Sequence, residues 1–232
     1  MIRLGLGLSL ASAAVLAVGP LGTRGGLWPF PVGFALLALG LLLGLAGASA
    51  SLAAGVKTGQ WGLAAVGVVV GLAVVAVPSR VLLAARGAPP IHEITTDDED
   101  PPPFVAVLPL RASAANPPEY GGADVAAAQR RAFPDIAPLV LPVDSARAFD
   151  RALRAVEDLA WDVVASDRPS GRIEAVATTF WFGFKDDVVV RLRPLDDGTR
   201  IDVRSKSRVG LGDLGANARR VRAFLRRVQD VD

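Results

Sequence analysis

Hydrophobic positions in the first third of the chain run almost without interruption: apolar stretches cover residues 4–21, 32–54 and 62–83, broken by short polar connections at 22–31 and 55–61. A helix needs about 20 apolar residues to cross a hydrocarbon layer roughly 30 Å thick, because lipid offers no partner to an unpaired backbone amide. The pattern therefore predicts three membrane-spanning helices within residues 1–86, with neighbours antiparallel because their connections are short. Trp28, Phe30 and Trp61 fall at the ends of the spans, where interfacial aromatic anchors belong. Pro78 comes late in the third span and predicts a stop or kink, with residues 79–86 forming a short basic turn along the interface. Gly40 with Gly44, and Gly67 with Gly71, have the spacing that lets helix backbones approach closely, though in a Gly- and Ala-rich chain such pairs also arise by chance.

From residue 139 the pattern changes. Residues 139–143 form a short apolar strand, and Asp144 is a good cap for the helix that follows, in which Ala146, Phe149, Leu153, Val156 and Ala160 recur at helical spacing. Strands are expected at 161–166, 172–184, 187–193 and 200–207, antiparallel by their short connections. A last helix over 213–231 presents Leu214, Ala218, Val221, Leu225 and Val228 on one face, flanked by Arg219, Arg220, Arg222, Arg226 and Arg227. Together these elements make an α+β protein: an N-terminal three-helix transmembrane module, then a two-layer domain (core 139–232) of antiparallel sheet packed against two helices. Residues 87–138 hold ten prolines and neither a helical nor, apart from a short run at 104–110, an apolar period. Their composition is that of a linker or an extended wrap.

Charge sharpens the division. The first ninety residues contain no Asp or Glu and only five Lys or Arg, which leaves 20 Lys and Arg against 23 Asp and Glu in the remainder, a net of −3. The pI near 9.5 is therefore no nucleic-acid footprint, and the expected partner is the lipid bilayer. No ionisable residue lies at mid-bilayer depth, which argues against a proton relay or transport site and leaves an anchor. Orientation is a near tie between Arg3 and Lys57 on one side and Arg24, Arg80 and Arg86 on the other. Arg3 before an apolar stretch also suits a signal peptide, but residues 18–24 offer no clear cleavage site, so the first span is expected to be retained. The absence of cysteine removes disulfides, thiolate metal sites and a cysteine nucleophile.

Candidate chemistry is sparse. A turn at 194–198 sets a register in which partners sum to 393, placing Arg191 opposite Asp202 and Arg193 opposite Arg200, with Arg204 on the same face. An exposed pair there contributes at most about 1 kcal/mol. If the chain from Ile91 covers that face, its buried arginines require carboxylate partners. The loop 207–212 leads into the last helix with Arg208 and Asn217 nearby, and a helix N-terminus attracts anions; Asp213 would oppose one and is better suited to capping. Asp97, Asp98, Glu99 and Asp100 lie close to His92, the only histidine, yet lack the loop of a calcium site and read as a solvated run. Ser205 or Ser207 can be set beside His92 and an aspartate, but no nucleophile motif supports the arrangement, and a carboxylate pair from Asp186, Asp187 or Asp202 has no better support. No catalytic residue, metal set or cofactor is assigned. The binding candidates are His92, Asp187, Arg191, Asp202, Arg204, Arg208, Asp213 and Asn217.

Residues 91–104 (IHEITTDDEDPPPF), 184–187 (FKDD), Arg191 and above all 201–220 (IDVRSKSRVGLGDLGANARR) resemble the bacterial and plastid domain-of-unknown-function 1499 family over essentially 91–228. The membrane spans lie outside the resemblance. It implies that the wrap at 87–138 belongs to the soluble domain, because the family pattern starts at Ile91 and His92 and continues through Tyr120 and Phe133 to Ile136. It brings no known reaction. Some similar proteins look like lipoproteins or lumenal proteins, which implies a periplasmic domain on a multi-pass protein of the bacterial inner membrane. The expected role is a non-enzymatic envelope accessory or binding domain that meets an anionic ligand or an envelope protein through its arginine and aspartate cluster. The alternatives are a hydrolase acting on an envelope substrate, and binding of anionic lipid headgroups by the basic last helix.

Overall fold

The computed structural model describes residues 1–230, which fall into two compact units: Met1–Arg86 together with Phe180–Gly183, and the remainder from Gly87. The first contains α1 (Ile2–Arg24), α2 (Phe30–Thr58) and α3 (Trp61–Ala84), all long and apolar enough to cross a membrane. Their packing inverts that of a water-soluble bundle. Ser9, Ser12, Gly40, Gly44, Gly47, Ser51, Gly67 and Gly71 are buried, while Leu10, Leu42, Leu45, Val69 and Leu72 are exposed. Large side chains gain nothing by leaving hydrocarbon, and small ones let helices touch, so this is the arrangement a lipid surrounding selects.

Both glycine pairs lie at close approaches. A Cβ on Gly71 would stand 2.5 Å from the Gly44 carbonyl oxygen, one on Gly67 would meet the Ser51 hydroxyl, and Gly40 backs onto Leu16. Ser9 Oγ donates to the Gly67 carbonyl at 2.7 Å and ties α1 to α3. Pro78 does not end α3, which continues to Ala84. A proline removes one ladder bond rather than the helix as a whole when its surroundings hold it, and the next residue's hydroxyl, Ser79 Oγ, donates to the Val75 carbonyl at 2.8 Å. A direct test of this packing is Gly47, whose added Cβ would lie 2.5 Å from Ser9 Oγ and 2.6 Å from the Ser9 amide nitrogen. Gly47→Val should force α1 from α2 at a cost of about 1–3 kcal/mol, the usual range for overpacking. The check is the thermal midpoint of the full chain in detergent, which should fall by several degrees; an unchanged midpoint would mean the two helices do not meet there.

The second unit is built on β1 (Glu93–Thr95), β2 (Leu139–Leu141), β3 (Asp162–Asp167), β4 (Arg172–Thr178), β5 (Lys185–Leu195) and β6 (Gly198–Ser207). The strand order is β1-β6-β5-β4-β3, antiparallel throughout, with β2 sharing the β6 edge with β1. Pairing of β5 with β6 runs from Asp186 opposite Ser207 to Leu195 opposite Gly198, so the register is the one in which partners sum to 393. Helices α5 (Ser145–Asp158) and α6 (Ala216–Asp230) cover one face over a core that includes Phe149, Val156, Ile173, Val188, Val190, Ile201, Val203, Val221 and Phe224. Asp144 caps α5 by accepting from the Arg147 amide at 2.9 Å.

Two apolar stripes differ from those expected. In α5, Ala148, Ala152 and Ala155 flank Phe149 and Val156, while Ala146 is exposed. In α6 the central residue is Phe224 rather than Leu225, stacked on Trp161 with centroids 5.8 Å apart, and Leu214 precedes the helix and is exposed. Both residues satisfy helical spacing from Val221, and the larger ring takes the interior.

The stretch 87–138 is not structureless. It contributes β1, a 3-10 turn at Leu108–Arg111 and α4 (Gly122–Ala132). Only Ala126 and Gln129 of α4 are buried, which explains why no apolar period announces it. Gln129 holds it instead, accepting from the Thr95 amide at 3.0 Å and donating to the Thr95 carbonyl at 2.6 Å. Residues 97–120 cross the face of the sheet opposite α5 and α6, where Phe104 and Val107 join Val176 and Val189 in a second small core.

Candidate functional site

Alternation along β5 and β6 decides where the candidates go. Asp187, Arg191 and Arg193 of β5 and Arg200, Asp202, Arg204 and Lys206 of β6 all point to the wrapped face, and their odd-even complements point to α5 and α6. At one end Asp202, fully buried, accepts from Arg191 (3.2 Å), Arg193 (2.9 Å) and Arg200 (2.9 Å). The same three guanidiniums reach Asp97 of the wrap at 2.8–3.0 Å, and Arg191 and Arg193 also hold Asp100. Three cations face three carboxylates, so this cluster retains no net charge for an incoming anion.

In the middle, Glu93 of β1 takes four bonds on its two oxygens: Arg204 Nε (3.2 Å) and Nη2 (2.8 Å), Lys206 Nζ (3.1 Å) and the Gly121 amide (2.7 Å). Arg204 lies over the rings of Phe104 and Tyr120, 4.7 and 5.7 Å from their centroids, and with Pro101, Pro103 and Pro118 lines an open groove of about 350 Å³. Burial pushes both Arg204 and Lys206 down from their ordinary values, opposed chiefly by Glu93. At the far end Asp187 binds Arg111 of the wrap and Arg208, and Glu174 of β4 accepts from the amides of Val105 and Val107 at 3.0 Å. Carboxylates and cations thus fasten the wrap to the sheet along its length.

The family described as "Protein of unknown function (DUF1499)" matches residues 93–228. The chain belongs to that family. Comparison with curated proteins gave no match. The matched region takes in the wrap, the sheet and most of α6, so the DUF1499 domain includes the proline-rich covering of its own polar face.

The remaining candidates lie on the other side of the DUF1499 sheet. Asn217, at the start of α6, accepts from Ser205 Oγ at 2.6 Å and donates to Ser207 Oγ and the His92 carbonyl at 3.0 Å each. Both serines are therefore engaged by an amide, not by an imidazole. Asp213 accepts from the amides of Gly215 (2.8 Å) and Asn217 (2.7 Å) and caps α6; burial pushes its carboxyl up. Burial, helped by Lys206, lowers the His92 imidazole. The eight candidates thus divide between two faces. Asp187, Arg191, Asp202, Arg204 and Arg208 belong to the wrapped side, and His92, Asp213 and Asn217 to the α6 side.

Sequence reasoning missed Glu93, Arg111, Glu174 and Lys206 of the DUF1499 domain, all buried, and read Asp97 as solvated although it is nearly buried among three arginines. The available signal was the unbroken run of charged residues Arg200, Asp202, Arg204, Lys206 on one face of a strand whose other face carries Ile201, Val203, Ser205 and Ser207. Three of the α6 arginines are also occupied: Arg220 with Asp186, Arg222 with Asp135 and Arg227 with Asp158.

Acid should loosen the wrap before it loosens α6. Burial raises the Asp97 carboxyl, but the Asp100 amide and the arginines outweigh it and hold the value below the ordinary one. Its contribution is thus complete above an unfolded value of about 3.9 and is lost as pH falls through the folded value. Asp213 is raised, so protonation relieves it and works the other way. Hydrogen exchange corrected for intrinsic rate should accelerate over residues 93–107 below pH of about 4 with α6 amides unchanged; equal acceleration in both would show that Asp97 does not hold the wrap.

Proposed function

We propose that this protein is a non-enzymatic accessory or binding component of the bacterial cell envelope, multi-pass in the inner membrane, with its DUF1499 domain on the periplasmic side. The observation that carries the reading is the closure of the polar face: the wrap satisfies the arginines and carboxylates internally, and Asn217 occupies the two serines that a hydrolase would need near His92. The contact surface is the rim of the arginine and aspartate cluster, where Asp100, Arg193 and Arg200 remain partly open to solvent. With its charges balanced, that rim suits an envelope protein presenting its own mixed charges better than a small anion.

The test compares the native full chain with His92→Ala in membranes, using ester and phosphoester substrates, and adds a topology reporter after Asp232. No turnover dependent on His92, together with a periplasmic reporter signal, is the expected result. Turnover abolished by His92→Ala would replace the reading with a hydrolase, and a cytoplasmic reporter would remove the envelope partner.

A further inference from the structure

The register of the sheet gathers three chain segments at one end. Thr178 pairs with Lys185, Asp186 with Ser207, and Lys206 with Glu93. The β4–β5 loop (179–184), the loop leaving β6 (208–215) and the segment arriving from α3 (87–92) therefore share that end, while the turns after β3 and β5 lie at the other. The arriving segment is also fixed to the second loop: the Asp213 amide donates to the Ile91 carbonyl at 3.1 Å, and Gly212 lies against Pro90. Between Ala84, the last residue of α3, and Glu93, the first of β1, only residues 85–92 intervene. Fully extended they reach at most about 30 Å at the usual rise per residue. This end of the domain is thus held by a short covalent tether to a helix apolar enough to cross a bilayer.

It is also where large apolar side chains are left uncovered. Leu211 is 88% exposed, the highest value of any large apolar residue described, and Phe180 (71%) and Trp181 (52%) occupy the tip of the β4–β5 loop, their rings edge to face at 5.2 Å. The tip reads Thr179, Phe180, Trp181, Phe182, Gly183, Phe184, an aromatic density found nowhere else in the chain. Exposed to water these rings would forgo the gain from burial of about 25 cal/mol per Å². At a headgroup boundary an indole can bury its ring and keep its N–H hydrated, which is why tryptophan accumulates there.

We propose that this end is a lipid-contact surface: Phe180, Trp181 and Leu211 enter the headgroup–acyl boundary of the bilayer crossed by α1–α3 and give the domain a second, non-covalent hold on it. The proposal does not depend on the envelope reading above, only on the helices being in lipid. Because the chain has no cysteine, spin labels can be placed singly by Trp181→Cys, Leu211→Cys and, at the opposite end of the sheet, Leu195→Cys. In the full chain reconstituted in phosphatidylcholine and phosphatidylglycerol vesicles, with an aqueous nickel chelate on both sides, the ratio of oxygen to nickel accessibility should be several-fold higher at 181 and 211 than at 195. Nickel access at 181 and 211 equal to that at 195 would overturn the proposal. So would shielding from both reagents, the mark of a protein cover. Should the cysteine variants not fold, quenching of tryptophan emission by brominated acyl chains should lose a component in Trp181→Phe relative to the native chain; an unchanged quenching profile would overturn the proposal equally.

Discussion

Glu93→Gln is expected to destabilise the DUF1499 domain by about 3–5 kcal/mol, the range for removing one partner of a buried ion pair. Glu93, Arg204 and Lys206 are all within a few per cent of complete burial, and Glu93 is the carboxylate on which both cations converge. An amide of the same size keeps one acceptor oxygen and turns an N–H₂ toward a cation, so the two charges are left facing a dipole. Asp202→Asn should cost much less, closer to the roughly 1 kcal/mol of a solvent-screened pair, although Asp202 is itself fully buried. Its partners Arg191, Arg193 and Arg200 are 14%, 37% and 30% exposed, and water can replace what they lose.

The variant should also behave distinctively with pH. Burial already lowers the Lys206 amine, and Glu93 is the main group opposing that. Without it the folded value falls further below an unfolded value of about 10.4, so the unfolded chain binds the proton more tightly and stability rises with pH across that window. Glu93→Gln should therefore recover part of its loss between neutral and alkaline pH, while Arg204 remains charged and keeps the rest. Urea midpoints of the full chain in nanodiscs, measured at both conditions beside the native protein, provide the check. A loss no larger than that of Asp202→Asn, with no alkaline recovery, would mean that Lys206 and Arg204 are hydrated.

What could be read from the chain follows from which forces leave a period. The three N-terminal helices declare themselves by continuous apolar composition, and the strands by alternation; the β5–β6 register followed from turn placement together with the apolar face, because a slip of one residue would turn Ile201 and Val203 out of the core. The wrap left no such trace. Its helix α4 is fixed by Gln129 on the Thr95 backbone and its crossing by Glu174 on two amides, single polar contacts at long sequence separation that no local pattern encodes. The arginine alternation on β6 was visible, but the carboxylates that answer it come from Glu93, Asp97 and Asp100, about a hundred residues earlier. Asp213 was legible as a cap because capping is local; Asn217 as the residue that occupies both serines was not, because it depends on where α6 docks.

Asp187→Ala should come close to Glu93→Gln in cost and should open a different part of the molecule. Arg111 is buried, and among the described residues Asp187 is its only carboxylate partner and its Nε has none, while its Nη2 donates to the Asn116 carbonyl at 3.0 Å. Removing Asp187 strands a guanidinium over the Phe104 ring, at a cost of about 3–5 kcal/mol, whereas Arg208 is exposed enough to rehydrate. Glu174 still holds the amides of Val105 and Val107, so the loss should fall on residues 108–116 and appear there as faster hydrogen exchange. Pairing Asp187→Leu with Arg111→Met replaces the ion pair by apolar volume and should return most of the stability, since well-packed substitutes for buried pairs are often neutral or better. A double variant as unstable as Asp187→Ala would mean that packing around Val176 and Val189, not the stranded charge, sets the loss. The repaired protein also separates fold from role: if the wrapped face serves only to seal the sheet, the double variant should rescue to the same extent any deletion phenotype that the native chain rescues, whereas a stable protein that fails where the native chain succeeds would place a contact of the domain at this end of the wrap.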